Sequence, residues 1–442
     1  MPGVLALVRG PALVRPAGEQ RHRLRAPVLC RCPGPGHAAV VLTANPVRYP
    51  YLAQDDVDVL ILDTSDAVAV RAACRMLADG GLRGVTSSSE YFAAGAAVVA
   101  SELGLPAPDA VAVTRCRQKG QQRAALAAAG VPGPAFRVVT GGAAAVSAAE
   151  QIGWPVVVKP PAGSGSVGVR RCGGPDEVQG WVRDLHRRGD DRVLVEGYLD
   201  GPECSVEIFD GAVVGVVAKH LGPAPYFVEI GHDFPAALDE PDRAALQRAA
   251  VRAVRALGLG WGAAHVELRM TTDGPMIVEV NPRLAGGMIP TLIALTTGID
   301  LVDAVVARAS GQRPSPARLG HGHAAIRFLI AGSGGTVTAA SGPATARALP
   351  LGCRAVLTVA PGDTVEITHS FQDRLGYVIA VGESSSAAAS NAAEALSRFT
   401  VTVSAPCVPA AERALRGLLP VTCNGTVRDA VREPPQGTSD FS

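Results

Sequence analysis

Short apolar runs and helically spaced apolar positions alternate along the first quarter of the chain. Two β-rich runs, AAVVLTA and VDVLILD, lie between His37 and Asp63 and are bounded by proline and aspartate. From Ala67 to Asp79 the apolar positions recur with helical spacing and stop at Gly80-Gly81. Ser87 with Glu90 has the spacing of a capping box, which predicts a second helix ending near Gly104 and Pro106. Strands alternating with helices imply a parallel sheet, so residues 1–115 read as a small α/β domain. The first 36 residues, rich in Arg and Pro, carry no readable element.

A helix from Arg115 to Ala129, stopped by Gly130 and Pro132, opens the next region, and a strand-rich stretch runs from Pro155 to Glu207. The pattern then predicts a helix from Asp239 to Leu257 and strands from Gly262 to Met270 and from Met276 to Val280. The Asp273-Gly274 pair between those strands is a hairpin signal. After Pro314 short strands return as AAIRFLI, AVLTVA, TVEITH and GYVIAVG, with one Ala-rich helix from Ser384 to Ser397. From Ala405 periodicity is lost, and a mobile tail is expected. The expected divisions are 1–115, 116–200, a larger lobe 201–315, a β-rich unit 316–404 and the tail 405–442.

Composition narrows the function. No run of about 18 apolar residues occurs, so the 48% hydrophobic content belongs to globular cores and no membrane is expected. The segment Met1 to Val14 is broken by Arg9 and Pro11 and lacks a basic leader, which predicts a cytoplasmic protein. With 41 basic against 40 acidic residues and no long basic run, nucleic acid is not an expected partner. The nine cysteines are scattered and never spaced CxxC, so neither a disulfide framework nor a zinc site is indicated. More pointed is that only three of the 41 basic residues are lysines: Lys119, Lys159 and Lys219. A chain that uses arginine by default keeps lysine where a compact ammonium is needed, as on a phosphate, or by chance on a solvated face.

Three segments carry chemistry. In VVVKPPAGSGSVGV, residues 156–169, a strand ends in Lys159 and a Gly/Ser loop leads into another strand. Gly163, Gly165 and Gly168 would let backbone N–H groups approach anionic oxygens, with hydroxyls from Ser164 and Ser166. A hairpin turn without a ligand fits the same pattern. In VEGYLDGPECSVEI, residues 195–208, backbone groups from Gly197 to Leu199 could pair an adenine edge while Glu203 accepts from a ribose. A solvated strand face bearing Glu196, Glu203 and Glu207 is the alternative.

In HVELRMTTDGPMIVEVNPRLAGG, residues 265–287, the hairpin brings Glu267 and Glu279 to adjacent strands, with Asn281 on the face of Glu279. Such an oxygen set suits Mg²⁺, and two facing carboxylates would repel by about 1–4 kcal/mol at ~4 Å unless a cation lies between them. Arg283 and the Ala285-Gly286-Gly287 backbone would add positive charge and donors beyond the metal. The competing reading is a polar sheet edge satisfied by Arg269 and Arg283.

Lys119, Lys159, the 163–168 loop, the 196–203 linker and the Glu279-Val280-Asn281-Pro282-Arg283 segment, in this order, resemble the ATP-grasp superfamily, most closely its L-amino-acid ligases. The resemblance spans roughly residues 37–404. It implies a multidomain α/β and α+β fold, with an N-terminal α/β domain ahead of the two ATP-grasp lobes and a small β-rich C-terminal subdomain. It implies that Lys119 and Lys159 are phosphate ligands, Glu196, Tyr198 and Leu199 the adenine linker, Glu203 the ribose acceptor, and Glu267, Glu279 and Asn281 the Mg²⁺ ligands. Arg283 and Gly286 match positions that hold a substrate carboxylate or acyl phosphate, and Lys219 with Glu229 and His232 of YFVEIGHDFP matches an amino-acid site. The implied reaction uses ATP and a pair of Mg²⁺ ions, with Mn²⁺ as a substitute, to join a carboxylate to an amine. Amino acids are the expected substrates, and a homodimer is compatible with the chain. A bicarbonate-using carboxylase and an ATP-binding regulatory protein without turnover are the competing functions.

Overall fold

A computed structural model describes residues 5–9, 38–49, 52, 57–314 and 322–404. The expected tail from Ala405, and most of the first 36 residues, lie outside them. The N-terminal sheet has the order Asp58–Ile61, Ala38–Thr43, Leu5–Arg9, Leu82–Thr86. Only the first pair is parallel; Leu5–Arg9 runs antiparallel to both neighbours, so the sheet is mixed and not the parallel one expected. The helix Ala67–Ala78 starts where Asp66 accepts from the Val68 and Ala69 N–H groups.

Two predicted helices differ from expectation. The capping box fails: the helix is Ala93–Glu102, begins after Phe92 and has no side-chain cap. Glu90 is drawn instead to Arg283, a charge partner stronger than a backbone N–H. The helix expected from Arg115 to Ala129 is two, Ala110–Cys116 and Lys119–Ala128. At the break the Lys119 N–H donates to the Pro161 carbonyl (2.9 Å), which points the start of the second helix at the Gly/Ser loop.

The next unit is an antiparallel sheet ordered Phe136–Thr140, Arg192–Gly197, Val156–Lys159, Arg170–Cys172. Helices Gly142–Ile152 and Pro175–Arg187 cover it. The second helix lies within the stretch from Pro155 to Glu207 expected to be strand-rich. It is built from Val178, Trp181, Val182 and Leu185, all buried at helical spacing against Val156, Val158 and Val195.

An eight-stranded sheet forms the large lobe: Gly274–Asn281, Ala263–Thr271, Glu203–Phe209, Ala212–Leu221, Glu229–Phe234, His323–Ile330, Arg374–Gly382, Arg354–Leu357. Strands of the 316–404 region therefore extend the sheet that carries the Asp-Gly hairpin. Gly335–Ser341, Thr364–Val365 and Thr400–Ser404 form a separate three-stranded sheet. Period-two alternation sorts the central strands: Cys204, Val206 and Ile208 with Val266 and Leu268 face helix Glu240–Ala256. Glu203, Ser205 and Glu207 with His265, Glu267 and Arg269 occupy the opposite face. Among the described residues no single helix is long and apolar enough to cross a membrane.

Leu268 is fully buried between two polar-facing neighbours. Leu268→Ala is expected to destabilise the protein by about 2–5 kcal/mol, because a cavity opens behind the hairpin. Urea unfolding checks it, and a loss below about 1 kcal/mol would show that the site does not rest on this packing.

Candidate functional site

The small-lobe sheet and the polar face of the large sheet enclose a cleft with about 970 Å³ of empty space, counted to its open mouth. All three lysines of the chain line it, at 8%, 5% and 6% exposure for Lys119, Lys159 and Lys219. Gly163, Ser164, Gly165, Ser166, Glu196, Tyr198, Leu199, Glu203, Glu229, Glu267, Glu279, Asn281 and Arg283 line it as well. Gly168, His232 and Gly286 do not. Gly168 adopts a positive φ and packs where a Cβ would press on Pro160 and Leu185, so it shapes the base of the loop. Gly286 is exposed in the turn before helix Ile289–Thr297.

Each buried lysine is held by carboxylates. Lys119 Nζ pairs with Glu279 and donates to the Gly163 carbonyl at 2.9 Å. Lys159 lies 2.6 Å from Glu196, whose other oxygen accepts from Arg123 Nε at 2.6 Å. Lys219 contacts Glu229 and Glu267 at 2.7 Å and Glu203 at 3.1 Å. Burial pulls the Lys159 ammonium down, partly offset by Glu196. Burial also acts to lower Lys219, but its three carboxylates prevail and hold it well above the usual lysine range. Although burial opposes it, Arg123 and Lys159 hold the Glu196 carboxyl at about 2.

The structure narrows one expectation about the nucleotide linker. The Gly197 and Tyr198 N–H groups donate to the Ala135 and Pro155 carbonyls, at 2.9 and 3.1 Å, and are not offered to a base. Glu196, which lines the cleft, is the buried counter-ion of Lys159 and Arg123. Leu199 keeps its place at the linker, with its carbonyl taking a 2.8 Å bond from Arg269. Arg269 also reaches Glu203 (3.2 Å) and the Tyr198 hydroxyl (3.3 Å), so Glu203 is positioned on both oxygens by Lys219 and Arg269.

Glu267 and Glu279 face one another in the strand register, as the hairpin predicts. Their repulsion is relieved by protein cations, not by a metal alone: Lys119 holds Glu279, while Lys219 and His265 (3.0 Å) hold Glu267. Burial disfavours the imidazolium, yet Glu207 and Glu267 raise His265 to about 9. Among the described residues no group of three or more His, Cys, Asp and Glu could hold a metal ion. The donor set of two carboxylates and the Asn281 amide is nonetheless all hard oxygen, which fits a Mg²⁺ completed by phosphate and water.

Arg283 stands at one end of the cleft, its Nε 2.6 Å from Glu90, with the two side chains 13% and 11% exposed. It also forms a wall of a second cavity of about 510 Å³, lined on the far side by Val85, Val113, Leu259, Trp261 and Val305. His232 is fully buried behind the cleft wall, and neither ring nitrogen has a hydrogen-bond partner among the described residues. Burial pushes its pKa down to about 3, so the imidazole is neutral near pH 7. A Cβ on Gly287, at φ +58°, would collide with that ring, so glycine brings the turn after Arg283 against it. Sequence motifs assign no role in the site to Arg123, His265 or Glu90 and only a sheet-edge role to Arg269; the registers that set His265 beside Glu207 and Arg269 beside Glu203 join strands far apart in the chain.

Glu196 provides a test of this electrostatic frame. Its folded pKa lies below the unfolded value, so its stabilisation is present above about pH 4.5 and is lost as pH falls toward 2. Glu196→Gln is expected to cost about 3–5 kcal/mol at pH 7, because Lys159 and Arg123 lose their anion. The gap from the unmodified protein should shrink below pH 4.5 in urea titrations; a constant gap would show that charge is not the cause.

Residues 152–291 match the family described as ATP-grasp domain, and residues 327–404 match L-amino acid ligase C-terminal domain 2. An uncharacterised protein, y4rH, of Sinorhizobium fredii is 37% identical over 79% of this chain and 74% of its own length. The D-alanine–D-alanine ligase of Rhodococcus erythropolis is 30% identical over 62% of this chain and 79% of that enzyme. The L-amino acid ligase of Bacillus licheniformis superposes with a TM-score of 0.67 at 23% identity, covering 79% of this chain and 88% of that one, a likeness of fold. The lysine-lined cleft, the two matched domains and the extent of these relationships together show that the chain belongs to the ATP-grasp superfamily of ATP-dependent ligases, related to the L-amino-acid and D-alanine–D-alanine ligases.

Proposed function

We propose that the protein activates a carboxylate as an acyl phosphate with ATP and couples it to an amine, with amino acids as the substrates and ADP and phosphate released. One observation carries this reading: Lys119, Lys159, Lys219 and Arg283 surround a single cleft in which Glu267, Glu279 and Asn281 form a set of oxygen donors. A site that only bound nucleotide would have no use for Arg283 and a paired-carboxylate hairpin beyond the phosphate loop.

In this reading the adenine lies at Tyr198 and Leu199, the ribose at Glu203, and the phosphates run under the Gly163–Gly165 backbone toward Lys119 and Lys159. Mg²⁺ held by Glu267, Glu279 and Asn281 would neutralise the phosphate oxygens during transfer. Lys119 then moves off Glu279 onto phosphate, which exchanges one partner for another with little change in local charge. Arg283 holds the carboxylate that takes the γ-phosphoryl group. When that carboxylate belongs to an α-amino acid, its ammonium can take Glu90, and its side chain the second cavity.

The amine meets Glu229 and His232. Although burial opposes it, Lys219 and Arg374 keep Glu229 anionic, and the neutral imidazole of His232 lies 3.6 Å from it. A buried imidazole without a partner is costly, and an incoming N–H donor satisfies it while placing the nitrogen for attack.

ADP release from Mg·ATP, screened against pairs of amino acids with mass spectrometry of the products, tests the proposal. The expected product is lighter than the pair by one water, and chelation of the metal should stop the release. No turnover with any pair, despite tight ATP binding, would leave a binding protein. Glu279→Gln is expected to keep the fold and lose on the order of 100-fold or more in turnover. Undiminished ADP release would remove Glu279 from the site. Glu229→Ala and His232→Ala are expected to raise KM for the amine more than KM for ATP; unchanged amine kinetics would end their assignment.

A further inference from the structure

The Gly/Ser loop is touched by a part of the chain about 200 residues away. A Cβ on Gly165 would collide with the Phe371 ring, and the Phe371 N–H donates to the Gly165 carbonyl at 3.2 Å. Two residues earlier the His369 ring stacks on Tyr226, with 3.7 Å between centroids and 5° between planes. Tyr226 packs edge-on against Trp181, whose Nε1 donates to the Gly168 carbonyl at 3.1 Å. Both halves of the loop are thus fastened, and Ser166 adds a 2.8 Å bond to the Phe227 carbonyl.

The same distant segment reaches the amine site. Arg374 donates to the Glu229 carboxylate at 2.6 Å and to the Glu229 carbonyl at 3.2 Å, and its guanidinium lies over Phe328. The turn between these contacts is rigid. Asp373, almost fully buried, accepts from the Thr368 hydroxyl at 2.6 Å and from the Thr368 and His369 N–H groups at 2.8 and 2.9 Å. His369 has a left-handed φ of +54°, a conformation that a non-glycine residue keeps only when its surroundings fix it.

We propose that the 368–374 turn is a latch: Phe371 and His369 hold the Gly/Ser loop shut over the cleft, and Arg374 ties that closure to Glu229. Phe371 and Arg374 are positioning residues in this scheme, which rests on the ligase reading for its chemistry. An open loop admits water, whose oxygen attacks the acyl carbon of the acyl phosphate. Phosphate then leaves and the carboxylic acid is regenerated, so that ATP is hydrolysed and no amide forms. Engagement of Glu229 by the amine is felt at Arg374, one rigid turn from the ring on Gly165, so closure is firmest when the correct attacker is present.

Two readouts on Phe371→Ala test the latch. Hydrogen–deuterium exchange over 160–171, without any ligand, should speed up by about tenfold or more while the rest of the small lobe is unchanged. In turnover, the ratio of ADP to amide product should rise severalfold, with KM for ATP changing much less, and Phe371→Leu should recover most of the coupling. If Phe371→Ala does not fold, His369→Ala, which removes the ring stacked on Tyr226, carries the same two measurements. Unchanged exchange with an unchanged ratio would overturn the latch. Faster exchange in a protein that joins no substrate pair would uphold the latch and refute the ligase reading instead.

Discussion

An ammonium group can leave water only if anions go with it, and this constraint organises the cleft. Lys159 is held by Glu196, Lys119 by Glu279, and Lys219 by three carboxylates at once. Truncating one member of such a buried pair costs about 3–5 kcal/mol, far more than a surface ion pair contributes. The charges are therefore fixed by the fold and arranged before any ligand arrives. Phosphate and metal can replace existing partners without an uncompensated charge being created at any stage.

Strand register does most of the placing. In the large sheet Glu203 lies beside both Lys219 and Arg269, and Glu207 beside His265, so charge partners meet across adjacent strands with their apolar neighbours pointing into the core. Parts far apart in sequence then close the ends: Glu90, from the N-terminal domain, on Arg283, and Arg374 on Glu229. The shared eight-stranded sheet gives that last contact its stiffness, since the Glu229–Phe234, His323–Ile330 and Arg374–Gly382 strands are consecutive neighbours.

Much of this was legible in the sequence where the signal was local. The Asp273-Gly274 turn announces the hairpin, although a register shift between Glu267 and Leu268 is what sets Glu267 opposite Glu279, and the scarcity of lysine pointed to three positions that the structure brings into one cleft. Long-range partners were not legible. Nothing near Glu90 announces Arg283, and its spacing from Ser87 imitates a helix cap so well that only the tertiary contact decides. Glu196 sits in a nucleotide-linker pattern, but its carboxylate answers to Arg123, 73 residues away. Two N–H groups of that linker, on Gly197 and Tyr198, are taken for a similar reason, because the Ala135 and Pro155 carbonyls that occupy them come from other loops. The helix Pro175–Arg187 did show helical spacing, masked by the β-rich runs on either side.

Confinement of every lysine to the cleft also changes how the molecule meets amine-directed chemistry. Reagents such as succinimidyl esters, and enzymes that acetylate or ubiquitylate side chains, find no exposed lysine ammonium on the surface of this chain. A surface armed with arginine keeps its positive charge without offering those groups a nucleophile. Slow modification at lysine therefore becomes a native reporter of cleft opening, and nucleotide should protect against it.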